Sequence, residues 1–239
     1  MSAGWSRERL LREVVESPRR AFIPIEGTRV IERSGWLQLI TPSFPRGGFN
    51  DVARAELADD EADSVIDSTI AEYVKLGLEF RWIVGPDSRP TDLAERLDRR
   101  GLVRHQVSGM VRVLDGYQEP VADRSIAVES IDLSNESEFS RVTALGWKMD
   151  RESLSAYHRQ VLSPVGHRHH LFLARLDGEA VGSASFVAGD YSAYLMGGVV
   201  LSPFRGRGIY RALVAARVRG AKQLGLSLAT CQAGKMSAP

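Results

Sequence analysis

Between an apolar run ending at Leu201 and an amphipathic run beginning near Gly208, the chain reads SPFRGRGIYRAL, the segment whose residue types and spacing most clearly carry chemistry. It has the ingredients of an anion site. The first N–H groups of a helix have no intrahelical partner, and the macrodipole adds roughly half a positive charge there. Gly206 and Gly208 let a phosphate approach the main chain, while Arg205, Arg207 and Arg211 add formal charge. The nucleotide-loop pattern G-x-x-x-x-G-K-[ST] is absent. So is G-x-G-x-x-G. RGRG is one copy held between a strand and a helix, with no aromatic platform beside it, so no nucleic-acid partner is expected.

Other reactive side chains are scattered. His167, His169 and His170 alternate faces at a strand entry without a carboxylate cluster, which favours surface or capping roles and no metal. Cys231, the single cysteine, forms no intramolecular disulfide and has neither histidine nor lysine near it in sequence, so it reads as core. Tyr194 opens a strand and is a candidate hydrogen-bond donor or acid, packing being the simpler role for a strand aromatic. Asp150, Glu152 and His158 are base candidates in a helical segment. Gly47, Gly48, Phe49 and Asn50 read as a tight turn, or as a lip over an acceptor.

The elements that must position these residues follow from periodicity. In the second part, strands are expected at Ser125–Ile131, His170–Leu176, Glu179–Ala188, Tyr194–Leu201 and Leu226–Ala233, with helices around Glu138–Leu145, Arg151–Leu162 and Gly208–Leu224. Asp177-Gly178 between alternating apolar runs signals a hairpin. In the first part, helices are expected at Glu8–Phe22, with Leu10, Leu11, Val14 and Val15 on its apolar face, at Asp59–Leu76, and at Thr91–Arg100 behind a capping threonine. Strands fall at Trp36–Ile40, Phe80–Val84 and Gln106–Leu114. The polar stretch DGYQEPVADR marks the boundary, giving domains 1–115 and 125–239 joined by a linker 116–124. A strand–helix–strand crossover requires a parallel pair, hence a mixed α/β (α+β) sheet.

Composition agrees with a folded protein: of 239 residues 44% are hydrophobic and 26% charged, with net charge +1. Residues 1–124 carry 18 basic and 21 acidic side chains, residues 125–239 carry 13 and 9, and no acid follows Asp190. The late region therefore tolerates or attracts an anion, although a solvated basic helix face has the same charge pattern. Arginine outnumbers lysine heavily, as in a GC-rich bacterium. No stretch approaches the roughly 18 apolar residues of a membrane span, and MSAGWSRERLLREVV turns charged before any signal-like run. A cytoplasmic protein with no membrane partner is expected.

Arg205-x-x-Gly208-x-Tyr210, after an apolar strand and before an amphipathic helix, resembles the acetyl-coenzyme A signature R/Q-x-x-G-x-G/A of the GNAT N-acetyltransferase superfamily. LFLARLDGEAVGSASFV and YLMGGVVL are similar to that family's second, third and fourth strands. FRWIV, TDLAERLDRRGL and HQVSGMVRVL resemble its fifth strand, last helix and final strands, so the first part looks like a degenerate relative without the signature. The resemblance implies two GNAT-like acyl-CoA N-acyltransferase domains in tandem, one structural and one binding acetyl-CoA as cosubstrate. It implies pantetheine contacts from Gly198, Val199 and Val200. It also implies pyrophosphate contacts from the amides of Gly206, Arg207, Gly208, Ile209, Tyr210 and Arg211, beside Arg205. Tyr210 stands where the family has glycine or alanine, which requires its phenol to point away from the phosphates. Ser202 takes the usual proline place, and Gly234 falls where a family asparagine would sit. The family continues past the strand matching Leu226–Ala233 with a helix bearing a tyrosine acid and two more strands. With the sequence ending at Pro239, those elements are expected to be missing and the sheet edge unprotected, unless other residues complete it.

The implied activity is transfer of acetyl from acetyl-CoA to an amine of a small molecule or protein, with Tyr194 the candidate acid. The alternative is a non-catalytic acyl-CoA-binding or sensing protein. Either form is compatible with a homodimer.

Overall fold

The computed structural model describes residues 4–46, 48–120, 123–163 and 168–234; Gly47, His167, Lys235 and Pro239 lie outside them. The chain forms two compact units. One is Pro24–Gln106; the other joins Met1–Ile23 to Val107–Pro239. These boundaries differ from 1–115 and 125–239. The reason is that the first helix and the strand before the polar stretch pack with the later part of the chain.

In the Pro24–Gln106 unit, β1 (Arg29–Arg33), β2 (Trp36–Ile40), β3 (Asp51–Ala53) and β4 (Arg81–Trp82) form a sheet in that order. The first two pairings are antiparallel and β3–β4 is parallel, with α2 (Ala62–Leu76) as the crossover. Tyr73 fixes α2 to the sheet: its buried hydroxyl donates to the Leu39 carbonyl at 2.7 Å and its ring stacks on Phe80. Gly77 ends α2 in the left-handed conformation, as its position after Leu76 predicts. The short α3 (Leu93–Arg99) starts from Asp92 with no side-chain cap, so Thr91 does not play the capping part expected of it.

In the larger unit, β5 (Ser108–Val113), β6 (Ile126–Ser130), β7 (His169–Leu176), β8 (Glu179–Ala188), β9 (Ser192–Val200) and β10 (Leu228–Ala233) form a sheet of order β5-β10-β9-β8-β7-β6. The Asp177-Gly178 turn has φ 51° and 86°, the left-handed pair that a two-residue hairpin needs. Helices α4 (Glu136–Trp147) and α5 (Arg151–Val161) precede β7, and α6 (Ile209–Gln223) connects β9 to its parallel neighbour β10. The run β7-β8-β9-α6-β10 repeats the pairing pattern of β1-β2-β3-α2-β4, so the two units share a plan.

The expected open edge at β10 is not there. Antiparallel β5 pairs with β10 from Leu228↔Val113 to Ala233↔Ser108, so a strand assigned by sequence to the first domain completes the second domain's sheet. Helix α1 (Arg7–Arg20) covers this corner, with Val14 pressed against Gly109 of β5. Of the expected apolar face Leu10, Val14 and Val15 are half-buried, but Leu11 is 57% exposed and the fully buried side chains are Glu13 and Ser17. Glu13 reaches Ser192 Oγ at 2.5 Å and Arg20 at 2.6 Å, and Ser17 reaches Thr230 at 2.7 Å. Polar partners on β9 and β10 set the helix rotation, because buried hydrogen-bonding groups left unpaired cost more than an exposed leucine does.

Candidate functional site

Strand β9 carries a bulge and then departs from its neighbour. Ser185 pairs with Met196 and Ser183 with Val199, so Gly197 and Gly198 together oppose the single residue Ala184. Parallel pairing with β10 runs only from Ser192↔Leu228 to Tyr194↔Thr230, although β9 continues to Val200 and β10 to Ala233. Beyond Tyr194 the two strands part, and β5 holds the β10 side of the fork in place. Trp147, at the end of α4, lies over the bulge with its indole nitrogen 3.5 Å from the Gly197 carbonyl oxygen.

The glycine turn leads out of β9 through a 3-10 turn at Ser202–Phe204 into α6. Gly208 is the helix N-cap at φ 83°, and no side chain caps it; the first turn of α6 contains no acid. Gly206, Arg207, Gly208, Tyr210 and Arg211 are exposed, while Ile209 is buried and anchors the helix start in the core with Leu213 and Val181. Arg205 is spent differently from its neighbours: its Nε donates to the Val200 carbonyl at 3.0 Å, which fastens the turn to β9. The Tyr210 ring turns to Gly198, where a Cβ would stand 3.0 Å from it. The phenol therefore points along β9 toward the fork and away from the helix start.

On the opposite face of β9, Tyr194 lies at the last paired position before the strands part and lines a narrow recess with Ser17, Arg20, Ala21, Arg168, Val187, Gly189 and Ser192. Sequence periodicity does not bring α1 here, so Ser17, Arg20 and Arg168 were missed as neighbours of Tyr194. The buried Arg217 was also missed, although one signal was readable: it sits four residues from both Leu213 and Ala221 on the buried stripe of α6. A more open recess, lined by Tyr117, Glu119, Arg219, Lys222 and Gln223, lies at the far end of α6, where Arg219 and Glu119 pair with each other.

The proposed bases are placed elsewhere. Asp150 is the N-cap of α5 and accepts from the Ser153 amide, a bond that holds its carboxyl below the usual range. Glu152 is exposed. His158 is buried between α4 and α5, with Nδ1 2.6 Å from Ser140 Oγ, which in turn donates to the buried Glu136 carboxylate. His169 is buried beside Tyr157, while His170 stacks on Phe186; the two do face different neighbours. Among the described residues no three His, Cys, Asp or Glu side chains gather as a metal site, and no helix is long and apolar enough to cross a membrane.

Burial pushes His158 down to about 3 and His169 down to about 4. Both are neutral in the folded protein, whereas the unfolded chain takes up protons near 6.5. Their contribution to stability is complete above that pH and is lost as pH falls below it, by about 2 kcal/mol for each histidine at pH 5. Thermal unfolding is expected at a distinctly lower temperature at pH 5 than at pH 7.5. Equal melting at both would show that these rings are not buried as neutral groups.

A mixed sheet with a bulged strand, a parallel neighbour that diverges from it, and a glycine turn feeding the crossover helix define an α/β fold of the GNAT class. The acetyltransferase (GNAT) family model matches residues 137–237. The structure is similar to a GCN5-related N-acetyltransferase from Kribbella flavida, with 12% identity, TM-score 0.66, and coverage of 92% of this chain and 84% of that one. It is also similar to a conserved protein of unknown function from Staphylococcus epidermidis, with 15% identity, TM-score 0.62, and coverage of 89% and 86%. A third similar structure is a tandem GNAT protein of the clavulanic acid biosynthesis pathway, with 15% identity, TM-score 0.56, and coverage of 91% and 78%. A comparison with curated proteins gives no match. Residues 137–237 match the GNAT acetyltransferase family model, and the fold is similar to that of the GNAT proteins.

Proposed function

We propose that the larger unit transfers an acyl group, acetyl in the first instance, from coenzyme A to an amine of a small molecule or protein. The observation that carries this reading is the continuity of the exposed glycine turn at the uncapped start of α6 with the fork between β9 and β10. The turn fits a pyrophosphate: the amides of Gly206, Arg207, Gly208, Ile209, Tyr210 and Arg211 are the donors, and no carboxylate competes in the first helical turn. The fork fits the pantetheine arm, whose amides would pair with the main chain of Gly198, Val199 and Val200 where β10 no longer does.

The reaction asks little beyond positioning. A neutral amine attacks the thioester carbonyl, the C–N bond forms and the C–S bond breaks. The amine loses its extra proton to solvent, and the departing sulfur takes one. This reading gives that step to Tyr194, at the crotch of the fork, with the amine approaching on the recess side of β9, beside Arg20 and Arg168.

The Pro24–Gln106 unit has the same strand-helix-strand plan with a different turn. The approach to α2 carries Glu56, Asp59, Asp60 and Glu61, and the first turn adds Asp63. Acids at a helix start satisfy its dipole and repel phosphate. Calorimetry of the full chain with CoA is therefore expected to show one site per chain. No heat at millimolar CoA from folded protein would overturn the reading, and two equivalent sites would overturn the division of labour between the units.

A further inference from the structure

Arg217 is the largest fully buried side chain of the described residues, 2% exposed, and no carboxylate faces it. Its Nε donates to the Leu213 carbonyl at 3.1 Å, and its Nη1 to the Ser185 carbonyl at 3.3 Å and the Met196 carbonyl at 3.5 Å. The other groups acting on its charge are the Tyr210 phenol and the Cys231 thiol, and no Asp or Glu occurs after Asp190. A buried charge normally has a counter-ion, because carbonyl dipoles alone repay only part of its desolvation. Here the cation is held at the fork without one. Its Nη2 lies 3.5 Å from the point a Cβ would occupy at Gly198, so the guanidinium edge is aimed at the side-chain-free face of the bulge. Tyr210 covers it, with the guanidinium 5.9 Å from the ring centroid. The ring is 43% exposed, so a turn about its own side-chain bonds is what separates the cation from solvent.

We infer that Arg217 is the receptor for a carboxylate at the far end of the acyl chain, so that the site holds the thioester of a short dicarboxylic acid, of succinyl size, more tightly than that of an uncharged acid. This rests on the fork being the thioester slot. The guanidinium bonds carbonyls through Nε and Nη1 and is hydrogen-bonded to the Tyr210 phenol as well, so a carboxylate would take the phenol's place at Nη2 when that ring turns outward, as a charge-assisted acceptor. The carboxylate comes with the acyl chain and not with the acceptor, because Arg217 extends from α6, the helix that starts at the phosphate turn, whereas the amine recess lies on the α1 face of β9. In turnover the carboxylate is unchanged: the amine forms a C–N bond with the thioester carbonyl, the C–S bond breaks, and protons move as in acetyl transfer.

The test is calorimetry of the full chain with CoA and two stable thioethers of equal length, S-butyl-CoA and S-(3-carboxypropyl)-CoA. The charged thioether is expected to bind about tenfold tighter or more than the butyl one, the effect of a hydrogen-bonded charge pair. Arg217→Met is expected to equalise the two while leaving CoA itself bound as before, and Arg217→Lys to keep part of the preference. Equal affinities in the unsubstituted protein, with CoA bound, would overturn the inference and leave the thioester reading standing; Arg217 would then only clamp the bulge. No binding of CoA would remove both. The ratio in the unsubstituted protein decides the matter even where a substitution prevents folding.

Discussion

Replacing Gly208 by valine is expected to lower CoA affinity by about 100-fold or more, a loss near 3 kcal/mol. Two effects add. Gly208 has φ 83°, a conformation that costs a β-branched residue about 1–3 kcal/mol, so the turn itself would shift. Its Cβ would also project into open space at the helix start, where only the Ile126 side chain comes within 4 Å and where a phosphate must approach. Gly225 supplies the control. It has φ 75° with nothing within 4 Å, at the opposite end of α6. Gly225→Val should lose similar stability and keep its affinity. If Gly208→Val bound CoA as the unsubstituted protein does, with its melting temperature lowered, the turn would not be part of the site.

The glycine turn before α6 was legible because its determinants are local: two glycines, a basic cluster and the onset of helical periodicity all lie within seven residues, and the turn forms where those signals coincide. The strands β7 and β8 were legible for the same reason, since the Asp177-Gly178 hairpin joins them. What completes the domain was not. Ser108–Val113 reads as a strand by its own pattern, but nothing local says that its partner is Leu228–Ala233, more than a hundred residues away. Pairing is chosen by complementary faces in three dimensions, and here by α1, whose Val14 meets Gly109 and whose Ser17 meets Thr230. The same long-range choice turned α1 partly away from its expected face. By hydrophobicity Leu11 belongs inside, yet Glu13 and Ser17 find buried partners and Leu11 is left outside. Two short strands, Arg29–Arg33, which is mostly exposed, and Asp51–Ala53, which is buried throughout, gave no usable alternation and went unread.

The site divides along the same line. Of the residues proposed to act through their main chain, Gly206 to Arg211 follow from the glycines and the strand-turn-helix order, and Gly198 to Val200 from the family resemblance. Residues that act through side chains gathered from distant elements could not. Arg217 was visible only as an arginine where the helix pattern calls for an apolar residue. The base candidates Asp150 and His158 were drawn from helix position alone, and the structure uses one as a cap and the other in a buried chain to Ser140 and Glu136.

Tyr194→Phe is expected to lower kcat by about 10²- to 10⁴-fold, the usual cost of losing a general acid, with little change in the affinity for the thioester. The ring would stay where it is, because phenylalanine keeps its packing across from Val187 and Thr230, and the pairing of β9 with both neighbours uses the main chain. The phosphate turn lies at the other end of β9 and would not sense the change. A loss confined to kcat is what distinguishes a proton donor from a residue that shapes the recess, since a shaping role would raise KM for the amine as well. The pH profile gives a second discriminator. With Tyr194 as acid, the fall in rate at high pH should vanish in the phenylalanine variant, leaving only the rise due to amine deprotonation. Unchanged turnover across an amine panel would mean that sulfur leaves with a proton from solvent, and that Tyr194 is a wall of the recess beside Arg20 and Arg168.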